Sequence, residues 1–397
     1  MNRRFHLIVV LFITSALGFC ARAQESIVHQ LDSFYTSEYG LGKLMGNVLI
    51  IQDDSVIYKK SFGYQDIERN IPNSDSSAFG MASVTKIFTA TAILQLHEKK
   101  LLGLDDDYVK YFPDFPFPDI TIRQLLSHTS GLPAYELFLD SLTGALPEKI
   151  FGNEDVIPAL KVWHKPLHNA PGEGWHYSSM NYCLLALLVE KLSGMPLNDY
   201  FSKYIFGPAG MQHSYSANYL TRRDNPQRTI NYAPVSSLSP GLKDVNKIPR
   251  EKAIVYNCGG FTGQGGLVTT IADMAGFDKA YFSGKLISYA SMDEAMTPVL
   301  LKNGRPAISG TLLGKGFAGY GLGWFVGIHP MLGRVVWHTG GRPGIMAIYV
   351  HDIPNNQAVL ILENEQNKGK IDVMAANGLY MTNRLFVTDA LPAEDGR

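Results

Sequence analysis

SVTKIFTATAILQL, residues 83–96, decides the fold because it joins a Ser-x-x-Lys pair to the start of a strongly apolar helix. Apolar residues recur at helical spacing from Ile87 to Leu96. Ser83 and Lys86 are therefore one turn apart and can face each other. A serine hydroxyl becomes a nucleophile when a neighbour accepts its proton, and a lysine amine can be that neighbour. The stretch suits a nucleophile and its base at a helix N-terminus, which also stabilises developing negative charge. By itself it is equally typical of a serine near a helix start and a solvated lysine, so the motifs that follow decide.

Apolar, β-branched runs near both ends of the chain predict strands. Gly46–Tyr64 alternates around Asp53 and Asp54, which is typical of a two-stranded hairpin. Near the C-terminus, Ile345–Val350 and Ala358–Leu362 are separated by a Pro-Asn-Asn turn signal and predict a second hairpin. We expect one antiparallel sheet that is built from both chain ends.

The middle of the chain is predicted to be mainly helical, since leucines recur at helical spacing from Leu184 to Leu192. The fold class is α/β in an α+β arrangement, with the antiparallel sheet flanked by helices, a mainly α-helical lobe, and the active site between them. One catalytic domain is expected at residues 24–387. Its parts are a sheet lobe at 24–82 and 255–387 and a helical lobe at 83–254, followed by a frayed tail at 388–397.

The N-terminus has the pattern of a secretory signal peptide. A basic MNRRFH start precedes the apolar run Leu7–Phe19 and an A-x-A site that ends at Ala23. Cleavage there predicts a periplasmic or secreted bacterial protein. The alternatives are an uncleaved anchor and lipidation at Cys20, although a bulky phenylalanine precedes that cysteine. No other stretch of the mature chain is long and apolar enough to span a membrane as a helix.

Composition excludes several classes of function. The 397 residues are 46% hydrophobic and 18% charged, as in a globular protein. Removal of three arginines with residues 1–23 changes the formal charge from −1 to −4, which leaves no basic footprint for nucleic acid. Two cysteines remain, Cys183 and Cys258, and we expect buried thiols. Pro166 prevents His164 and His168 from aligning on a helix as metal ligands, and no metal or other cofactor is predicted.

Two further motifs follow the serine. YSS stands at residues 177–179, directly before the second apolar helix, and HTGG stands at residues 338–341, at the end of a β-type run. The intervals are 94 residues (177 minus 83) and 161 residues (338 minus 177). A phenol can both donate and accept a proton, and glycines let a substrate approach a strand closely. No G-x-S-x-G elbow occurs, so an α/β-hydrolase fold is not supported.

The order SVTK, YSS, HTG resembles the class C β-lactamase family, which includes penicillin-binding D-alanyl carboxypeptidases, D-amino-acid peptidases and related esterases. Family-like segments also occur at residues 125–133 (LLSHTSGLP), 263–277 (GQGGLVTTIADMAGF) and 319–324 (GYGLGW). The resemblance spans residues 46–365. It implies a serine nucleophile, a lysine base, a tyrosine that shuttles protons, and an oxyanion hole formed by two backbone N–H groups. The catalytic residues implied are Ser83, Lys86 and Tyr177, and the substrate-binding and oxyanion residues implied are Ser179, His338, Thr339, Gly340 and Gly341.

Two positions depart from the family pattern. Ser179 replaces the usual asparagine, whose carboxamide would bond the substrate amide, and His338 replaces the usual lysine cation. A neutral imidazole cannot supply that charge, so we expect weak binding of carboxylate-bearing substrates relative to uncharged esters or amides. Arg342 either replaces the charge or is a solvated surface residue.

The function predicted from these features is an exported serine hydrolase that cleaves amide or ester bonds through a Ser83 acyl-enzyme. Its partner would be a small molecule, short peptide or ester, with peptidoglycan-derived and β-lactam compounds among the candidates. The alternatives are a true class C-type β-lactamase and a slow-turnover penicillin-binding protein that acts as a sensor. The two departures make a dedicated β-lactamase less favoured than a broader hydrolase. The sequence carries no indication of the oligomeric state.

Overall fold

The computed structural model describes most of the chain from residue 26 to residue 383. The described residues are 26–134, 146, 148–163, 165–216, 225–236, 239–249, 251, 256–312, 315–366, 370–383 and 385. The predicted signal peptide at residues 1–23 and the predicted frayed tail at residues 388–397 lie outside these ranges. No helix in the described ranges is long and apolar enough to cross a membrane.

The described strands form one large antiparallel sheet and three small sheets. The strands are β1 (Gly46–Gln52), β2 (Ser55–Phe62), β3 (Tyr64–Asp66), β4 (Ile71–Pro72), β5 (Phe79–Gly80), β6 (Tyr215–Ser216), β7 (Tyr232–Ser236), β8 (Ser239–Asp244), β9 (Leu267–Thr269), β10 (Ile308–Leu312), β11 (Lys315–Tyr320), β12 (Phe325–His329), β13 (Gly333–Arg342), β14 (Ile345–Asp352) and β15 (Gln357–Glu363). The large sheet has eight strands in the order β10-β11-β12-β13-β14-β15-β1-β2. The small sheets pair β3 with β4, β5 and β6 with β9, and β7 with β8.

Both predicted hairpins are confirmed, and they lie side by side at the β2 edge of the large sheet. β1 pairs with β2 through a turn in which Asp53 and Asp54 have positive φ angles. β14 pairs with β15, and β15 pairs with β1 across the whole length of both strands. The prediction that the two chain ends share one antiparallel sheet is therefore confirmed.

The helices lie mainly between the first and last strands of the large sheet. They are α1 (residues 26–40), α2 (Thr85–Glu98), α3 (Ile122–Leu126), α4 (Val156–Lys161), α5 (Met180–Ser193), α6 (Leu197–Phe201), α7 (Gly207–Ala209), α8 (Ile271–Phe282), α9 (Tyr289–Ala295) and α10 (Ile371–Thr382). Short 3-10 helices occupy Ala82–Val84, Tyr108–Lys110, Asn153–Asp155 and Val245–Lys247, and Ser202–Phe206 is a π-helical turn. α2 is buried on all sides from Thr85 to Leu96, as expected for a helix in the centre of a core.

The large sheet separates two apolar cores. Leu49 and Ile51 of β1 belong to the larger core, which lies between the sheet and the helices that follow Ser83. Val48 and Ile50 point to the opposite face, where α1 and α10 cover a smaller core. The period of two along β1 therefore assigns alternate residues to the two cores. The lobe boundaries stay a prediction. Two of the helices, α8 and α9, lie in the range that was assigned to the sheet lobe.

Cys183 and Cys258 are buried and unbridged, which confirms the expectation of buried thiols. Cys183 lies on α5, and burial raises the pKa of its thiol to about 12. At neutral pH this thiol stays protonated and behaves as a small apolar side chain.

Candidate active site

Ser83 lies in the 3-10 turn Ala82–Val84, between β5 and the start of α2. Ala82 has a φ of 42°, in the left-handed region that residues with a Cβ seldom adopt. The hydroxyl of Thr85 donates to the Ala82 carbonyl at 2.7 Å and supports this turn. The Ser83 side chain is half-buried, so its hydroxyl is held by the protein and still open on one side.

Lys86 is completely buried one turn after Ser83. Its Nζ donates to Ser83 Oγ at 3.1 Å, to Ser179 Oγ at 3.4 Å and to the Gln264 carbonyl at 2.8 Å. These three partners are neutral oxygens. A lysine amine at hydrogen-bond distance from a serine hydroxyl can accept its proton. The geometry therefore suits a base for the Ser83 hydroxyl.

Tyr177 lies beside the lysine, just before α5. Lys86 Nζ is 5.0 Å from the centroid of the Tyr177 ring. The ring of His128 packs against the Tyr177 ring, with the two ring centroids 4.2 Å apart. Tyr177 itself is half-buried. The structure thus brings together the three residues that the sequence assigned to catalysis, although they come from distant parts of the chain.

His338 lies in the interior, with 1% of its surface exposed. Its Nδ1 donates to the Thr339 carbonyl at 2.6 Å, and its Nε2 accepts from the Tyr320 hydroxyl at 3.1 Å, the tautomer following from these partners. Burial, with a smaller contribution from the charge of Lys86, lowers the pKa of His338 to about 3. The imidazole is neutral at physiological pH. The sequence-based prediction placed this ring against the substrate, whereas both of its nitrogens have partners inside the protein.

The strand that carries His338 packs directly on the turn that carries Ser83. At Gly340, a Cβ would lie 2.3 Å from the Met81 carbonyl and 3.0 Å from Ser83 N, so only glycine fits this approach. Gly341 is exposed, and Thr339 is half-buried. Because of this close contact, Ser83 and Gly341 lie on two segments that pack against each other.

A cavity of about 130 Å³ adjoins the serine turn. Arg342 is half-buried in its wall, and Ala82 of the serine turn also lines it.

Sequence reasoning assigned no role to three residues that contact the site. Gln264 supplies a carbonyl to Lys86, Tyr320 donates to His338, and His128 packs on Tyr177. All three lie in segments that look family-like in the sequence. The individual side chains carried no separate signal, because their contacts are made with residues that are distant in the sequence, such as Lys86 and Gln264, which are 178 positions apart.

No group of three or more histidine, cysteine, aspartate or glutamate side chains in the described part of the chain could hold a metal ion.

Comparisons with known proteins agree with this geometry. The family model described as Beta-lactamase matches residues 42–378. The chain is 34% identical over 326 residues to Penicillin-binding protein 4* of Bacillus subtilis (strain 168), which covers 81% of this chain and 68% of the relative. A penicillin binding protein from Bacillus halodurans superposes with a TM-score of 0.71 at 25% identity, over 90% of this chain and 99% of that chain.

A D-amino acid amidase from Ochrobactrum anthropi SV3 shares the fold, with a TM-score of 0.68 at 21% identity over 92% of this chain and 98% of that chain. The family model extends over far more than half of the 397 residues. The matched range includes all three motifs and all eight strands of the large sheet. The chain therefore belongs to the beta-lactamase family of serine hydrolases.

Proposed function

We propose that the protein is an exported serine hydrolase that cleaves amide or ester bonds through an acyl-enzyme on Ser83. The observation that carries this proposal is the buried Lys86 amine, 3.1 Å from a half-buried Ser83 hydroxyl at the start of α2. A nucleophile and a base at hydrogen-bond distance are the minimum that acyl transfer needs.

In the proposed acylation step, Ser83 Oγ attacks the substrate carbonyl carbon while its proton moves to Lys86 Nζ. The carbonyl oxygen becomes negative and is met by the N–H groups of Ser83 and Gly341 and by the positive end of α2. The Tyr177 phenol passes a proton to the leaving nitrogen or oxygen and recovers one from Lys86. The carbonyl reforms, the leaving group departs, and the acyl group stays on Ser83.

Deacylation reverses the proton path. A water molecule loses a proton to the same Lys86–Tyr177 pair as its oxygen attacks the ester carbon. The bond to Ser83 Oγ then breaks, the serine recovers its proton, and the acid product leaves. The overall reaction consumes one water and requires no other reactant.

The substrate side of the site favours small peptides, amides or esters. Ser179 lies 3.4 Å from Lys86 and offers one hydroxyl where the related enzymes that the sequence resembles have a carboxamide. His338 is buried and neutral, so it supplies no charge. Arg342, in the wall of the adjoining cavity, supplies the cation that an anionic substrate group would need. Peptidoglycan-derived and β-lactam compounds are the anionic candidates.

A second candidate function is a slow-turnover penicillin-binding protein, and a true β-lactamase is the third. The specific support for the second is the 34% identical relative, which is named a penicillin-binding protein. Acylation by the same Ser83–Lys86 pair serves all three functions. They differ in how fast water releases the acyl group, so the deacylation rate separates them.

The test uses the mature chain from residue 24 and a fluorophosphonate probe. We expect a single adduct on Ser83 by mass spectrometry and no labelling of Ser83→Ala, which should stay folded by circular dichroism. Hydrolysis of a short-chain aryl ester, nitrocefin and a D-alanyl-D-alanine peptide then ranks the three functions. An adduct on another serine would overturn the assignment of the nucleophile. Secretion of the full chain with an N-terminus at Gln24 is the corresponding test of export.

A further inference from the structure

His128 belongs to the segment LLSHTSGLP, to which the proposed mechanism gives no role. It is completely buried directly behind the Tyr177 ring. The two ring centroids are 4.2 Å apart, and the planes are inclined by 34°. Lys86 approaches Tyr177 at 5.0 Å from the ring centroid. The tyrosine therefore lies in contact with both a buried histidine and the buried lysine.

His128 also binds the backbone on both sides of Tyr177. The N–H of His176 donates to the His128 carbonyl at 2.9 Å, and the N–H of Ser178 donates to His128 Nδ1 at 3.2 Å. The side-chain amide of Asn181 donates to the same Nδ1 at 3.1 Å. One residue thus fixes both peptide neighbours of Tyr177 and one face of its ring.

These contacts require a neutral imidazole with the proton on Nε2. Nδ1 accepts from a backbone N–H and so cannot carry the proton. Burial lowers the pKa of His128 well below its usual value, and the charge of Lys86 acts in the same direction. Nε2 is buried without a hydrogen-bond partner among the described residues.

The backbone of His128 is itself restrained. Its φ is 59°, a left-handed value that histidine and asparagine adopt more readily than most residues with a Cβ. The N–H of Thr129 donates to the Gln124 carbonyl at 3.0 Å, so the turn is anchored to the end of α3. The support for Tyr177 is therefore built on a rigid element rather than on a free loop.

We infer that His128 is a positioning residue that fixes the Tyr177 phenol beside Lys86, and that it acts on the reaction only through Tyr177. This inference rests on the proposed function, in which Tyr177 shuttles protons. A displacement of about 1 Å in a catalytic group can cost on the order of 100-fold in rate. The loss of this support should therefore slow turnover with little effect on KM.

The experiment is a double-mutant cycle between His128 and Tyr177, followed by aryl ester hydrolysis and by the rate of fluorophosphonate labelling. His128→Asn keeps an acceptor and tolerates the left-handed backbone but removes the stacked ring. His128→Phe keeps the ring but removes the acceptor. We expect each to lower kcat on the order of 10- to 100-fold, with KM changed less than about threefold. In the Tyr177→Phe background the same changes should alter kcat less than about threefold.

The matched control is His329→Asn. His329 is also buried, and its Nδ1 accepts hydrogen bonds from the N–H groups of Met331 and Leu332. Its Nε2 is hydrogen-bonded to the hydroxyl of Tyr380, a residue of α10. It lies in the core on the other face of the sheet, so its loss should lower stability and leave kcat unchanged.

The result that overturns the inference is an equal loss of kcat from His128 substitutions with and without the Tyr177 hydroxyl, since that outcome means a general structural role. If His128→Asn fails to fold, His128→Phe provides the same comparison. Failure of the proposed function is distinguishable, because the probe would then not label Ser83 in the wild type.

Discussion

At the scale of single residues, the proposed mechanism joins Lys86 and Tyr177 in one proton path from Ser83. We predict that Lys86→Ala and Tyr177→Phe each lower kcat by at least about 100-fold, the usual loss for a positioned proton-transfer group. The double variant should be little worse than the more damaging single change, because both residues serve the same path. Steady-state kinetics on the aryl ester measures this, with circular dichroism as the folding control. Rates near that of the wild type in either single variant would remove the residue from the mechanism.

Under the proposed function, Arg342 supplies the cation for anionic substrates. We predict that Arg342→Gln lowers kcat/KM for a penicillin or a D-alanyl peptide by about ten- to a hundredfold relative to a neutral aryl ester. This is the value of a charge-assisted hydrogen bond of about 1.5–3 kcal/mol. The matched control is Arg334→Gln, at the other end of the same strand, where the arginine pairs with Asp293 at 2.8 Å. An unchanged substrate ratio in Arg342→Gln would show that no such contact forms.

His338 shows where reasoning from residue type reached its limit. The sequence showed correctly that this position carries no permanent cation, and the lowered pKa agrees with a neutral ring. It did not show that the side chain points inward, because residues on one strand alternate between its two faces and the motif alone does not fix which face is buried. His338→Lys would place a second cation near the buried Lys86, so we expect loss of stability rather than a new substrate preference.

At the scale of secondary-structure elements, the approach of β13 to the serine turn depends on a missing side chain. We predict that Gly340→Ala destabilises the protein by about 1–3 kcal/mol, since its Cβ would lie 2.3 Å from the backbone oxygen of Met81. Gly341→Ala is the matched comparison for stability, because the nearest atom to its Cβ is the Met346 sulfur at 3.7 Å. Urea denaturation measures both. Equal stability of the two variants would mean that the turn shifts without cost.

The elements that could be predicted are those with a local sequence pattern. The hairpins and the helices after Ser83 and Tyr177 follow from the periodicity of apolar residues, which is visible in the sequence. The small sheet of β5, β6 and β9 could not be found, because its strands have only two or three residues and show no alternation. The contact of Gln264 with Lys86 could not be predicted either, because it is a tertiary feature.

At the scale of the whole molecule, the site forms because three distant segments converge on one face of the large sheet. α2 and α5 pack together in the larger core and set Lys86 against Ser179. β13 approaches the N-terminal end of α2 from the sheet side. The pairing of β1 with β15 joins the two chain ends in the same sheet that carries the HTGG segment. Catalytic geometry is therefore a property of the assembled fold.

Glu365 gives the assembled molecule a pH dependence of known sign. It follows β15, where a bridge to Tyr232 joins the segment that contains β7 to the large sheet. Burial raises the pKa of this carboxyl to about 6 from 4.5. The folded state thus favours the protonated form, and this contribution is complete below about pH 4.5 and is lost as the pH rises through about 6.

We predict that Glu365→Gln, which stays neutral at every pH, is more stable than the wild type above about pH 7 and equally stable near pH 4. The shift corresponds to about 2 kcal/mol before screening, and partial exposure of the carboxyl reduces the expected gain to about 1 kcal/mol. The measurement is the difference in free energy of unfolding between variant and wild type from pH 4 to pH 8. This difference cancels the opposite slope from His338, whose lowered pKa costs stability as the pH falls below about 6.5. The exposed Glu154→Gln is the control and should give a flat difference. A flat curve for Glu365→Gln as well would show that its carboxylate remains hydrated in the folded protein.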